Sequence, residues 1–248
     1  MSGTVRTSDE GGRLGSALSG LAVAVGCVLF LGGFAWGAVE YKPYTVPTDS
    51  MTPTVQVGDR VLAQRIDSSA VRRGDVVVFK DPAWGDMPML KRVVGVGGDE
   101  VACCDAGGRL TVNGKGINEP YLKADSLSKG RASANDFTVK VPEGRLFLLG
   151  DERTNSMDSR VHLQDADHGS VPRSTVSARV DAIAWPLSGG TIGRPDGFAA
   201  LPGGVSQPGP LKLVVGAVLA GVVLILVGAV YGPLARLGRR KKVTAGVG

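Results

Sequence analysis

Serine, lysine and histidine are the residues of this chain that could build an acyl-transfer centre. Ser50 lies in Pro47-Thr48-Asp49-Ser50-Met51-Thr52-Pro53-Thr54, just beyond a long uncharged stretch. A serine hydroxyl is a poor nucleophile until a base takes its proton, so the identity of that base decides the chemistry. The chain has only two histidines, His162 and His168, both in a polar, turn-rich stretch with Asp165 and Asp167. A Ser-His-Asp triad could be drawn from these, because triads follow geometry and not chain order. Nothing in the local sequence marks either imidazole as buried or oriented, and surface histidines are the default reading. A lysine can act instead if burial makes it neutral. Lys91 stands in Met89-Leu90-Lys91-Arg92-Val93-Val94-Gly95-Val96, where strand alternation puts it on the face of Val93 and Gly95. Bringing its pKa from about 10.4 to about 8 costs about 3 kcal/mol and yields a general base suited to neutral pH. The competing reading is a Lys-Arg pair on a solvated strand face.

The elements that must position these groups read as β-strands. Alternating or continuous β-branched runs occupy residues 60–66, 75–80, 89–96, 100–104, 109–113, 137–141, 145–149 and 176–185. Turn signals separate them, among them Arg73-Gly74-Asp75, Gly97-Gly98-Asp99 and Asn113-Gly114, the last a hairpin tip. Short strands at this spacing without helical patterns between them predict an all-β domain over 40–186, partly closed or sandwiched, with residues of about 100–140 inserted as a subdomain. Residues 187–212 are rich in Gly and Pro and read as a flexible linker.

Two stretches, 14–39 and 213–235, carry no charge and are long enough as helices to cross a hydrocarbon core of about 30 Å. The formal charge is +5, yet residues 40–211 hold 20 basic and 21 acidic residues. The excess sits in the tail, residues 236–248, with Arg236, Arg239, Arg240, Lys241 and Lys242. Basic flanks stay cytoplasmic, so the tail and, across two spans, the N-terminal residues 1–13 are expected inside, with the β domain outside the cell membrane. A cleaved signal peptide is the alternative for the first stretch, which is longer than a usual h-region and lacks a positively charged n-region. A charge confined to one tail argues against a nucleic-acid surface, as does an aromatic content of 5%. Cys27 falls in the first stretch as a small packing residue. Cys103 and Cys104 are adjacent, and no Cys or His pair at ligand spacing accompanies them, so no metal or cofactor is expected.

Ser50-Met51-Thr52-Pro53-Thr54, Lys91-Arg92-Val93-Val94-Gly95 and Gly150-Asp151-Glu152-Arg153-Thr154-Asn155-Ser156-Met157-Asp158-Ser159-Arg160 occur in that order behind a membrane span. Together they resemble the sequence boxes of bacterial type I signal peptidases over about residues 14–186, and Gly58-Asp59 and Arg73-Gly74-Asp75 also fit. The resemblance implies a membrane-bound serine endopeptidase with Ser50 as nucleophile and Lys91 as general base. It further implies that Ser156 orients the lysine amine, that Asp158 and Arg160 hold the site together, and that Met51 helps cover the lysine. Thr48 would complete the oxyanion hole with the Ser50 N–H, although this position in the family does not always carry a hydroxyl. Thr154 departs from the Asp of many relatives. The implied substrates are secretory preproteins cleaved after Ala-x-Ala, and the implied partners are those signal peptides and the lipid bilayer, with a monomer expected. Self-cleaving Ser-Lys repressor relatives fit less well, being soluble and carrying a DNA-binding domain. A non-enzymatic exported β module would be signalled by loss of Ser50 or Lys91, and both are present.

Overall fold

Along the chain a long helix precedes and another follows a run of antiparallel strands in the structure, a computed structural model that describes residues 10–244, with side chains described over 15–231. The charges expected in segments 1–13 and 236–248 lie outside the described side chains. One compact unit is Glu40–Gly209, and the other is formed by the chain on either side of it. The chain is mainly β with an apolar helix at each end, as the sequence predicts.

The helical unit consists of α1 (Glu10–Glu40) and α2 (Leu211–Thr244). Both are long and apolar enough to span a membrane, over Gly15–Glu40 and Leu211–Tyr231. They pack antiparallel, with their backbones in close approach at Gly26 and Gly221. A Cβ on Gly26 would fall 2.9 Å from Gly221 O, so only glycine admits this approach. Ser19 Oγ donates to Gly228 O at 2.7 Å nearby.

The β unit contains β1 (Tyr41–Thr45), β2 (Arg60–Arg65), β3 (Val76–Phe79), β4 (Met89–Val96), β5 (Glu100–Cys103), β6 (Leu110–Val112) and β7 (Lys115–Gly116). It continues with β8 (Phe137–Lys140), β9 (Arg145–Leu149), β10 (Ser170–Pro172) and β11 (Val176–Trp185). Seven of these form one sheet in the order β1-β2-β11-β3-β4-β9-β10, and the other four form a second in the order β7-β6-β5-β8. The small sheet spans the stretch 100–140, and its Asn113-Gly114 turn takes positive φ at both residues, 53° and 74°, as a two-residue hairpin requires. Strand β3 reads Val-Val-Val-Phe and is buried at every position because it separates two cores. Val76 and Val78 enter a cluster with Val46, Met51 and Val55, whereas Val77 and Phe79 enter one with Val93, Leu146 and Leu148. The sulfurs of Cys103 and Cys104 are bonded to each other.

The expected flexible linker is instead folded onto the β unit. Ile192 N donates to Asp181 O at 2.9 Å, and Phe198 and Leu201 join the buried cluster that holds Phe137 and Phe147. Glycine and proline content suggested a tether because two isolated apolar residues give no periodicity, yet two are enough to fill a core site. Phe198 is fully buried, so Phe198→Ala is expected to destabilise the β unit by about 3–5 kcal/mol. Equilibrium denaturant unfolding measures this, and a loss below about 1 kcal/mol would mean that the segment is not part of the core.

Candidate active site

Ser50 sits in a tight turn between β1 and β2. The turn is closed by Thr52 N donating to Asp49 O at 2.8 Å and Val55 N to Met51 O at 3.1 Å, and it is rooted by the buried side chains of Met51 and Val55. Lys91 is the third residue of β4, where its backbone registers with Val77 of β3. The two meet: Lys91 Nζ lies 2.7 Å from Ser50 Oγ, and both residues are buried. Thr48 Oγ1 is 3.3 Å from Ser50 Oγ on the exposed side.

Burial lowers the pKa of Lys91 to about 8. Asp158, Asp151 and Asp49 pull it upward against that effect, and Arg160 adds to the lowering. Relative to 10.5, the displacement costs about 3 kcal/mol at neutral pH, which the packing of the β unit must supply. Between pH 8 and 10.5 the unfolded chain holds a proton that the folded protein has shed, so stability rises with pH across that window. At pH 7 about a tenth of the amine is neutral, enough to serve as a base.

The segment after β9 packs against the Ser50 turn. Glu152 N donates to Ser50 O at 3.1 Å, and a Cβ on Gly150 would lie 2.5 Å from that same oxygen, so position 150 must be glycine. Asp158 is fully buried. It accepts from Gly150 N at 2.9 Å and from Arg160 Nε at 2.8 Å and Nη2 at 2.7 Å. Burial pushes the Asp158 carboxyl up, but the Arg160 hydrogen bonds and charge outweigh it and hold the group below the usual carboxylate range. Arg160 Nη1 also donates to Arg153 O at 2.8 Å, which closes the loop on itself. Ser156 Oγ is buried and faces Asp158, whose carboxyl it helps to lower, and the bond to Lys91 that the resemblance implies is not formed in this structure. The amine donates to Ser50 instead, and Ser156 Oγ is pressed against Gly150, where an added Cβ would lie 2.1 Å from it.

Sequence reasoning did not single out the ionic lattice beneath the dyad. Arg92, beside Lys91 on β4, is fully buried; its Nε and Nη2 donate to the Asp151 carboxylate at 2.8 and 2.6 Å, and its Nη1 donates to Gly74 O at 2.8 Å. Thr54 Oγ1, four residues after Ser50, donates to the same carboxylate at 2.5 Å. The Arg92 guanidinium stacks on the Tyr121 ring at 3.8 Å, and the Tyr121 hydroxyl donates to Glu119, which also pairs with Arg153. The signal was present in Lys91-Arg92 and Gly150-Asp151, but only the fold reveals that the arginine points into the protein. His162 stacks on Trp84 at 4.5 Å and meets Asp165 at 2.8 Å, so its partners lie elsewhere than Ser50. Among the described residues no group of three His, Cys, Asp or Glu is placed to hold a metal.

A cavity of about 320 Å³ opens onto the dyad, with Val46, Pro47, Met87, Pro88, Leu90 and Met157 among its walls. The walls of this recess are mostly apolar.

The family model described as "Signal peptidase, peptidase S26" matches residues 18–185. A probable signal peptidase I of Mycobacterium leprae is 34% identical over 202 residues, which cover 59% of this chain and 69% of that protein. The signal peptidase I of Bacillus caldolyticus is 34% identical over 158 residues, covering 59% of this chain and 81% of that protein. The crystal structure of a signal peptidase I from Enterococcus faecalis V583 aligns at 30% identity with a TM-score of 0.36, over 44% of this chain and 94% of that chain. The Ser50 turn, the Lys91 strand and the Gly150–Arg160 segment all fall within the matched stretch, and the chain belongs to the signal peptidase family, peptidase S26.

Proposed function

We propose that this protein is a membrane-anchored serine endopeptidase that removes the signal peptides of secreted preproteins, with Ser50 as nucleophile and Lys91 as its general base. The observation that carries the reading is the buried 2.7 Å contact between the Lys91 amine and the Ser50 hydroxyl, with the amine poised near neutrality. The neutral amine takes the hydroxyl proton as Ser50 Oγ adds to the scissile carbonyl. The developing oxyanion is held by the Ser50 N–H and the Thr48 hydroxyl, the latter supported by its 3.3 Å approach to Ser50 Oγ. The Lys91 ammonium then protonates the leaving amine, and the same group activates the water that hydrolyses the acyl-enzyme.

The family resemblance assigns Ser156 the orienting of the amine, a bond that the resting structure does not contain, and Met51 keeps water from the amine. Asp158 and Arg160 fix the loop that carries Ser156. The recess walled by Val46 and Leu90 selects small residues, in keeping with Ala-x-Ala ends. In this reading the protein is a monomer in the cell membrane, with both termini cytoplasmic and the β unit outside; no cofactor and no nucleic acid take part.

Two experiments test the reading. Full-length protein in detergent is expected to cleave a secretory precursor after Ala, and Ser50→Ala or Lys91→Ala each to reduce kcat to background, a loss of at least about 10⁴-fold. Undiminished cleavage by either variant would remove that residue from the mechanism. For the topology, protease added to intact cells is expected to spare an epitope placed after residue 248, whereas digestion of that epitope from outside would reverse the orientation.

A further inference from the structure

The segment between β11 and α2 begins where the family match ends, at residue 185, so nothing in that match assigns it a role. It is held by three sets of contacts. Thr191 bridges to Ala182 of β11, and Ile192 packs onto the cluster that contains Val46, Met51 and Val55, the residues that root the Ser50 turn. Arg194, only 9% exposed, pairs through Nη2 with Asp181 Oδ1 at 2.5 Å and approaches Asp75 Oδ1 through Nε at 3.4 Å. Its Nε also donates to Ser206 Oγ at 2.8 Å, and Ser206 in turn donates to Asp75. Further along, Arg73 Nη1 donates to Pro202 O at 2.6 Å, and Phe198 packs over Gly74.

These anchor points converge on the dyad from behind. Asp75 immediately precedes β3, whose Val77 registers with Lys91. Gly74 O accepts from Arg92, and Gly74 N donates to Val93 O at 2.7 Å. The segment also shares a cavity of about 410 Å³ with Pro53 and Thr54, which follow Ser50 in the turn, and with Arg92 and Tyr121. One side of the strap therefore bears on the nucleophile turn and the other on the start of the strand next to Lys91. Asp75 is fully buried, and burial pushes its carboxyl up despite Ser206, the Arg72 N–H and the nearby Arg194 and Arg179 charges. Such a group does not tolerate loss of a cationic neighbour.

We propose that residues 187–209 form a positioning strap, in which Ile192 and Arg194 set the separation and dryness of Ser50 and Lys91 from outside the catalytic cavity. This rests on the peptidase reading above. The strap acts on the chemical step and not on the substrate recess, since neither residue lines the cavity that opens onto Ser50. Loosening it lets water reach the lysine, whose charged neighbours Asp158, Asp151, Asp49 and Arg160 stay in place while the effect of burial weakens.

The test compares full-length wild type with Ile192→Ala, Ile192→Val and Arg194→Gln for cleavage of one precursor across pH 6 to 10. Ile192→Ala and Arg194→Gln are expected to lower kcat by about tenfold while KM stays within about threefold, and Ile192→Val to remain near wild type. The acid limb of the kcat profile is expected to move to higher pH by about half a unit, because a wetter lysine holds its proton longer. Because stability itself rises with pH above 8, the folded fraction of each variant is measured by circular dichroism at every pH and kcat is expressed per folded molecule. If Arg194→Gln does not fold, Ile192→Ala, at a half-buried position, decides alone. Unchanged kcat and an unmoved limb in folded Ile192→Ala would overturn the strap while leaving the peptidase reading intact. A wild-type protein that cleaves no precursor would overturn both.

Discussion

A lysine amine kept out of water 2.7 Å from a serine hydroxyl is the contact on which the rest of the β unit depends. In water the amine is protonated at neutral pH and useless as a base; buried, it titrates near 8. The cost of about 3 kcal/mol is a sizeable part of a typical domain's stability, so the surrounding structure must be well packed before the chemistry can exist. The two cores on either side of β3 meet that demand. One roots the Ser50 turn through Met51 and Val55, and the other backs the β4 strand through Val93.

Beside this deprotonatable cation the fold places a permanent one. Lys91 and Arg92 are neighbours on β4 and both are buried, yet their environments are opposite. Arg92 is neutralised by a two-bond contact with Asp151, whose other ligand is Thr54 of the nucleophile turn. Lys91 has no carboxylate within ion-pairing distance among the described residues; its one hydrogen-bond acceptor is Ser50. The Arg92-Asp151-Thr54 lattice thus ties β4, the segment after β9 and the Ser50 turn together without giving the lysine a counter-ion that would restore its high pKa. Asp158 is near enough to raise the lysine's pKa somewhat, but its lone pairs are committed to Arg160 and the Gly150 N–H. Breaking either pair would leave an uncompensated buried charge close to the dyad.

The eight runs of β-branched residues legible in the sequence correspond to strands of the structure, because half-buried and buried strands impose a pattern on neighbouring residues. The strands that went unread are of another kind. β1 contains Pro43 and lies at the edge of the large sheet; β10 is three residues long, ends at Pro172 and lies at the opposite edge; β7 has two residues. Ser50 and Lys91 were legible because each sits in a distinctive local motif. The strap was not, since its attachment depends on Arg194 meeting Asp75 and on Phe198 filling a gap among residues far away in the chain. Long-range ionic pairs and single anchoring side chains leave no periodic trace. The Ser156 hydroxyl belongs to the same class: the motif places it near the site, but only the rotamer decides that it faces Asp158 and not Lys91.

Lys91 carries a low-pKa amine in the resting protein, independent of any substrate. Its most direct measurement is an NMR titration of the protein with lysine side chains labelled at Cε, with the Lys91 signal identified by its absence from Lys91→Arg. The Lys91 signal is expected to titrate near pH 8. A Lys91 signal that titrates at about 10.4, as a free lysine does in water, would show that burial does not make the amine a base.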